Sequence, residues 1–220
     1  MIEIDGVKFP NVIYVEHKEI NDAVKLMKPS LDLPTVQFRQ QWEIVFERLL
    51  SKFFENLNDS ESNVGLTIVL RAANAGFLAM KERLLAHSIP IFTVWANRDE
   101  ETIKASILHC NLPKEIPKGM QALMVDPMCA TATSIDETIK ELKSCGFEAL
   151  TFVCGIVTPE GLKFLKDEHP DVKIITGLTG PNIGLNKKGY IIYLDTEEPV
   201  AGDVGDRWMG ITGDGELIHK

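Results

Sequence analysis

From residue 65 onward, short and almost wholly apolar runs return at intervals filled by helical patterns. They are GLTIVL (65–70), IPIFTVW (89–95), QALMVD (121–126), EALTFVCGI (148–156) and VKIIT (172–176). Runs without polar alternation are buried on both faces, which is the signature of strands in a mainly parallel sheet covered by helices. The intervals agree with this. A helical stretch from about Asn74 to His87 separates the first two runs, a second helix runs from Ser134 to Gly146, and Thr158-Pro159-Glu160 opens a third. Proline suits a first helical position, and Gly146 suits the left-handed residue just past a helix end. The expected class is α/β.

Ahead of this lies a helical part. Residues 35–57 place Phe38, Trp42, Val45, Phe46, Leu49, Phe53 and Leu57 on one broad stripe, and Ile20, Ala23, Val24 and Met27 form a shorter one that stops near Pro29. A single domain is expected, with 1–60 helical and 61–220 the α/β core, since 220 residues fit one such unit. The net charge of −9 disfavours nucleic-acid and membrane surfaces as partners. No apolar run approaches the ~20 residues of a membrane span, and MIEIDGVKF lacks a signal-peptide pattern, so a cytoplasmic location is expected. Cys110, Cys129, Cys145 and Cys154 form no metal-binding pair and read as free thiols, with Cys129 the one inside a candidate loop.

That loop is QALMVDPMCATATSIDE (121–137). An apolar run ends at Asp126, small residues turn the chain, and Ser134 opens a helix. Unpaired N–H groups at such a helix start bind anions, and a carboxylate at a strand's C-terminal end sits where open parallel sheets hold ligands. A sugar phosphate would use both. Ser134-x-x-Glu137 also reads as a capping box, which explains those two residues without a ligand. Ala132 and Thr133 occupy the tightest part, where a β-branched residue disfavours positive φ. Arg71 and Arg98 end two strands and suit phosphate. AGDVGDRW (201–208) repeats a Gly-Asp pair whose carboxylates suit Mg²⁺ or ribose hydroxyls. Residues 97–119, polar and broken by Pro113 and Pro117, read as a hood over the site or a plain surface excursion. The five histidines show no catalytic spacing.

In order along the chain, these segments resemble the uracil phosphoribosyltransferase family over roughly residues 66–212. MVDPMCATATS (124–134) is similar to its V-D-P-M-L-A-T-G-G-S, LRAANAGFLAM (70–80) to its L-R-A-G-L-G-M, and RDEET (98–102) to its R-N-E-E-T. TPEGLKFLKDEHPDVKIIT (158–176), LNKKGYII (185–192) and GDVGDRWMG (202–210) match further blocks. The resemblance implies a type I phosphoribosyltransferase fold with N-terminal helices and a small hood, and a homodimer or larger homo-oligomer. It implies transfer of phosphoribose from 5-phosphoribosyl 1-diphosphate to uracil with Mg²⁺, giving uridine 5′-monophosphate. By position, Ala130, Thr131, Ala132, Thr133 and Ser134 would cradle the 5′-phosphate and Asp126 would face the ribose. Arg71 and Arg98 would neutralise the diphosphate, Asp203 would meet the metal side, and Tyr190, Ile191, Ile192 and Gly202 would border the base. The chain departs from the family at Ala132 and Thr133 (two glycines), at Ala73-Asn74, and at Tyr193-Leu194 followed by DTEEPV (195–200). These departures leave a second expectation, a member that binds a nucleotide without turnover, or one acting on another base.

Overall fold

The computed structural model describes residues 2–55, 57, 63–70, 72–98 and 105–218, with backbone alone at 97, 98 and 105. Seven strands form the central sheet: β3 (Val12–Tyr14), β4 (Val64–Leu70), β5 (Ile91–Arg98), β6 (Ala105–Asn111), β7 (Gln121–Cys129), β8 (Ala149–Val157) and β9 (Lys173–Leu178). Their order is β3-β9-β8-β7-β4-β5-β6, and every neighbouring pair is parallel except β5 with β6. The α/β expectation holds. β4 and β8, buried along almost their whole length, lie inside the sheet as their unbroken apolar runs require.

Before β3, β1 (Ile2–Ile4) and β2 (Val7–Phe9) make a two-stranded antiparallel hairpin. The N-terminal part is thus more than the helices its periodicity announces: β3 extends the central sheet by pairing with β9. Three-residue strands leave too little alternation to be read. Then come α1 (Lys18–Leu26), a short 3-10 turn at Pro29–Leu31, and α2 (Thr35–Glu55). α2 buries Phe38, Trp42, Val45, Phe46, Leu49, Leu50 and Phe53, and its Trp42 ring lies over β8. A Cβ at Gly155 would come within 2.4 Å of Trp42 Cζ3, so only glycine lets the helix sit this close.

Three boundaries differ from the sequence reading. The helical stretch expected over 74–87 is two helices, α3 (Asn74–Ala79) and α4 (Lys81–Ala86), broken where Met80 turns fully into the core. β7 does not stop at Asp126 but continues through Pro127 to Cys129, paired with β8. α5 (Thr133–Ser144) starts one residue early and is capped by Ala132, not Ser134. After α6 (Pro159–Glu168), β10 (Ile183–Leu185) and β11 (Ile191–Tyr193) pair antiparallel apart from the main sheet, and α7 (Val204–Met209) follows.

Candidate active site

Asp126 lies in β7 beside Cys154 of β8 and opens onto a cavity of about 250 Å³ at the C-terminal side of the sheet. The floor comes from Val69, Leu70, Asp126, Pro127 and Met128. Ala130 and Ser134 form one wall, with Gly189–Ile191 and Gly202–Gly205 opposite. Asp126 keeps a narrow opening to the cavity and is otherwise enclosed by protein. That burial raises its carboxyl pKa to about 7, against the opposing pull of the Met128 amide, which donates to Asp126 Oδ1 at 3.2 Å. Proline at 127 fits next to it because that position gives no N–H to the β8 ladder.

The turn beyond Cys129 is built to leave amides free. Ala132 adopts φ +65°, the only positive φ in the 121–137 stretch among the described residues, and Thr133 is already helical. No side chain caps α5. The first amide to pair inward is that of Asp136, which donates to Ala132 O at 2.8 Å. The amides of Thr133, Ser134 and Ile135 therefore precede the helix's own hydrogen-bonding ladder, with the positive end of its dipole behind them. The expected Ser134–Glu137 capping box does not form, because Ala132 turns the chain two residues before Ser134 and leaves Ser134 inside the first helical turn. Thr131 Oγ1 and Thr133 Oγ1 lie 3.3 Å apart and share a hydrogen bond at the same mouth. A second hollow of about 80 Å³ runs under this loop, from Asp126 to Ile135.

Cys129 is sealed here. Burial, then the neighbouring Asp126, pushes its thiol pKa far up, so the helix end does not activate it. Cys110 and Cys145 are half-buried, and all four cysteines are free.

The loop rests on a support that sequence reasoning missed. Thr158 caps α6 by accepting from Gly161 N at 2.9 Å, and the same hydroxyl donates to Ala130 O at 2.6 Å. Its own amide donates to Cys129 O at 3.1 Å. A Cβ on Gly161 would stand 2.6 Å from Ala130 O. The Thr-Pro-Glu-Gly run announced a helix start correctly, but nothing in its spacing says which loop the cap also holds.

Asp203 lines the opposite wall and caps α7, its Oδ1 accepting from Asp206 N at 2.9 Å. The second acid of the motif is structural too, with Asp206 Oδ2 accepting from Gly213 N at 3.0 Å. Arg207 donates to the carbonyls of Met27 and Ala201 and stacks 4.0 Å over Phe38. Of the base-side candidates, Tyr190, Ile191 and Gly202 reach the cavity, while Ile192 is buried behind them. Arg71 lies outside the described residues, as does the side chain of Arg98, whose backbone ends β5. Of the 97–119 stretch, read as a hood or a plain surface excursion, 105–111 form β6, an antiparallel edge strand, 99–104 lie outside the described residues, and the cavity lining includes no described residue of 105–119. The wall over the cavity comes from β10–β11 and the turn before α7.

Among the described residues no group of three or more His, Cys, Asp or Glu is placed to hold a metal ion. What the cavity offers is Asp203, with one oxygen engaged in a cap, and Asp126, which lines the same cavity. That donor set fits a Mg²⁺ that arrives on a diphosphate and takes one protein carboxylate, not a resident ion in a protein cage. No helix among the described residues is long and apolar enough to cross a membrane.

Residues 35–210 match the family model described as Uracil phosphoribosyltransferase. A uracil phosphoribosyltransferase from Shouchella clausii is 36% identical over 150 residues, 67% of this chain and 65% of that protein. One from Lachnoclostridium phytofermentans is 41% identical over 113 residues, 51% and 50% of the two. The chain thus spans between half and two thirds of the length of the curated relatives it matches. Among solved structures, the AQ2163 protein from Aquifex aeolicus superposes with a TM-score of 0.78 at 22% identity, covering 92% of this chain and 99% of that one, a likeness of fold.

Proposed function

We propose, for a chain that belongs to the uracil phosphoribosyltransferase family, that it transfers phosphoribose from 5-phosphoribosyl 1-diphosphate to uracil, giving uridine 5′-monophosphate and diphosphate. One observation carries the proposal: Asp126 and Ser134 line both the main cavity and the smaller hollow beside it, and the free-amide residues Thr133, Ser134 and Ile135 at the start of α5 line that hollow together with Asp126.

In this reading the C1–diphosphate bond breaks, its electron pair leaving with diphosphate, as a base nitrogen bonds C1 and loses its proton to solvent, and C1 gains positive charge between the two. The amides of Thr133, Ser134 and Ile135, with the Thr131 and Thr133 hydroxyls and the Ala130–Ala132 backbone, hold the 5′-phosphate. Their orientation is fixed in advance, so little reorganisation is needed. Asp126, ionised, faces the ribose and the charge growing at C1. Asp203 stands on the diphosphate side, where a bound Mg²⁺ would neutralise the leaving group. Arg71, next in sequence after β4, and Arg98, the last residue of β5, are assigned to the same anion. Tyr190, Ile191 and Gly202 border the base, with Ile192 packing behind. The reading also takes the protein as cytoplasmic, a single domain, and a homodimer or larger homo-oligomer.

Incubating purified protein with 5-phosphoribosyl 1-diphosphate, Mg²⁺ and each common nucleobase tests this, and uridine 5′-monophosphate from uracil is the expected product. A second reading, a nucleotide-binding member without turnover, draws on Ala132, whose Cβ occupies a left-handed turn at the phosphate loop. It is favoured if no base yields product while calorimetry still shows the monophosphate binding.

A further inference from the structure

Three contacts meet on a short segment outside the cavity. Met27–Pro29 joins the end of α1 to the 3-10 turn. The Met27 carbonyl accepts from Arg207, which also donates to Ala201 O at 2.7 Å. Pro29 packs on Gly202 so closely that a Cβ there would lie 2.9 Å from Pro29 Cγ. Lys28 Nζ donates to Glu198 Oε2 at 2.7 Å and sits 4.9 Å from the centre of the Tyr193 ring.

Glu198 belongs to the 195–200 segment, which returns along β11. Pro199 pairs antiparallel with Ile192, Tyr193 N donates to Glu198 O at 2.9 Å, and Val200 N donates to Ile191 O at 3.1 Å. Ile191 and Gly202 both line the cavity. One three-residue strap therefore holds both the β11 side and the Gly202–Asp203 turn.

We propose that Met27–Pro29 sets the distance between these two parts, and that the Lys28–Glu198 pair is a specificity-determining contact for the base that acts through the 195–200 segment without touching substrate. The proposal rests on the transferase reading above. The segment carries Asp195, Glu197 and Glu198, and it docks on β11 through only two backbone hydrogen bonds beside a site meant for an anionic donor. An ion pair at the rim is weak in absolute terms, yet a weak contact decides the position of a segment that is itself weakly held. With Lys28 neutralised, the segment lifts from β11, Ile191 O and Tyr193 N lose partners, and the base wall loosens. The phosphate cradle on β7 and α5 shares none of these contacts, and the Gly202–Asp203 turn keeps its own hold through Arg207 and Pro29, so the donor's binding is spared.

The test compares Lys28→Met, Glu198→Gln and the charge-swapped double variant Lys28→Glu/Glu198→Lys by steady-state kinetics with each nucleobase, with Lys18→Met, which breaks the exposed Lys18–Asp22 pair, as control. Each single variant should raise KM for the base about three- to tenfold and narrow the preference between bases, with the donor's KM within about twofold. The swap should recover at least half the loss, and the control should change nothing. Unchanged base KM, or base and donor KM rising together, overturns the proposal. Should the wild-type protein turn over no base, the transferase reading fails separately, and hydrogen exchange at the Tyr193 and Val200 amides reads the strap. Faster exchange in both single variants, restored in the swap, supports it, and equal rates in all three overturn it.

Discussion

Ala132 concentrates the backbone strain of the loop between β7 and α5, the one proposed to hold phosphate. Both Ala132 and Thr133 stand where the family carries glycine, and the sequence gives no means of choosing which one turns left-handed. The backbone chooses Ala132, with φ +65°, and lets Thr133 enter the helix, where a β-branched residue is tolerated. Ala132→Gly should stabilise the fold by about 1 kcal/mol and tighten phosphate binding, since a left-handed alanine costs roughly 1–2 kcal/mol. Thr133→Gly should gain nothing and lose a hydroxyl. Chemical unfolding and calorimetry with ribose 5-phosphate check both. Asp126 carries the second prediction. Its pKa is raised to about 7, so the folded protein keeps a proton between pH ~4 and ~7 that the unfolded chain has lost. Stability of the ligand-free protein should then fall across that window, with a slope of at most ~1.4 kcal/mol per pH unit, and Asp126→Asn should flatten it. Turnover runs the opposite way. If the carboxylate is the working form, kcat/KM rises through pH ~7, and Asp126→Asn removes both the limb and most of the rate.

At the scale of elements, legibility followed the length of the pattern. The α2 stripe from Phe38 to Phe53 and the apolar runs of β4, β7, β8 and β9 span enough residues for periodicity to identify them. Ser134 and Glu137 make a good capping box locally, but the helix starts before them, on a loop whose Cys129 and Ala130 carbonyls are fastened to Thr158 at the end of the neighbouring strand β8. No local pattern encodes a contact between residues 28 positions apart. The same fastening gives a prediction. Gly161→Ala would drive a methyl group to 2.6 Å from a backbone carbonyl, and backbone cannot swing aside as a side chain does. We expect phosphate affinity to fall about tenfold or more while circular dichroism and the unfolding midpoint show a folded protein, because the displaced group belongs to a surface loop.

Across the whole molecule, the N-terminal third is stitched into the α/β core. β3 completes one side of the sheet, α2 covers β8, and Phe38 and Trp42 share a core cluster with Val125, Phe152 and Trp208. Deleting residues 2–16 should uncover β9, whose Ile174 and Ile175 are fully buried, and leave its backbone edge unpaired. The expected result is a lower unfolding midpoint and concentration-dependent association in size-exclusion chromatography; a monodisperse, equally stable fragment would contradict it. Such long-range stitching was illegible in the sequence because each of its strands has three residues. The distribution of thiols has a practical corollary. Cys129 on β7 and Cys154, the β8 neighbour of Asp126, are walled in and stay protonated, whereas Cys110 on β6 and Cys145 at the end of α5 are only partly buried. Maleimide dyes will attach at Cys145 first, because burial and the Glu141 carboxylate, to which its Sγ donates, push the Cys110 thiol pKa up, giving a fluorescent reporter at the C-terminal end of α5 without an engineered cysteine.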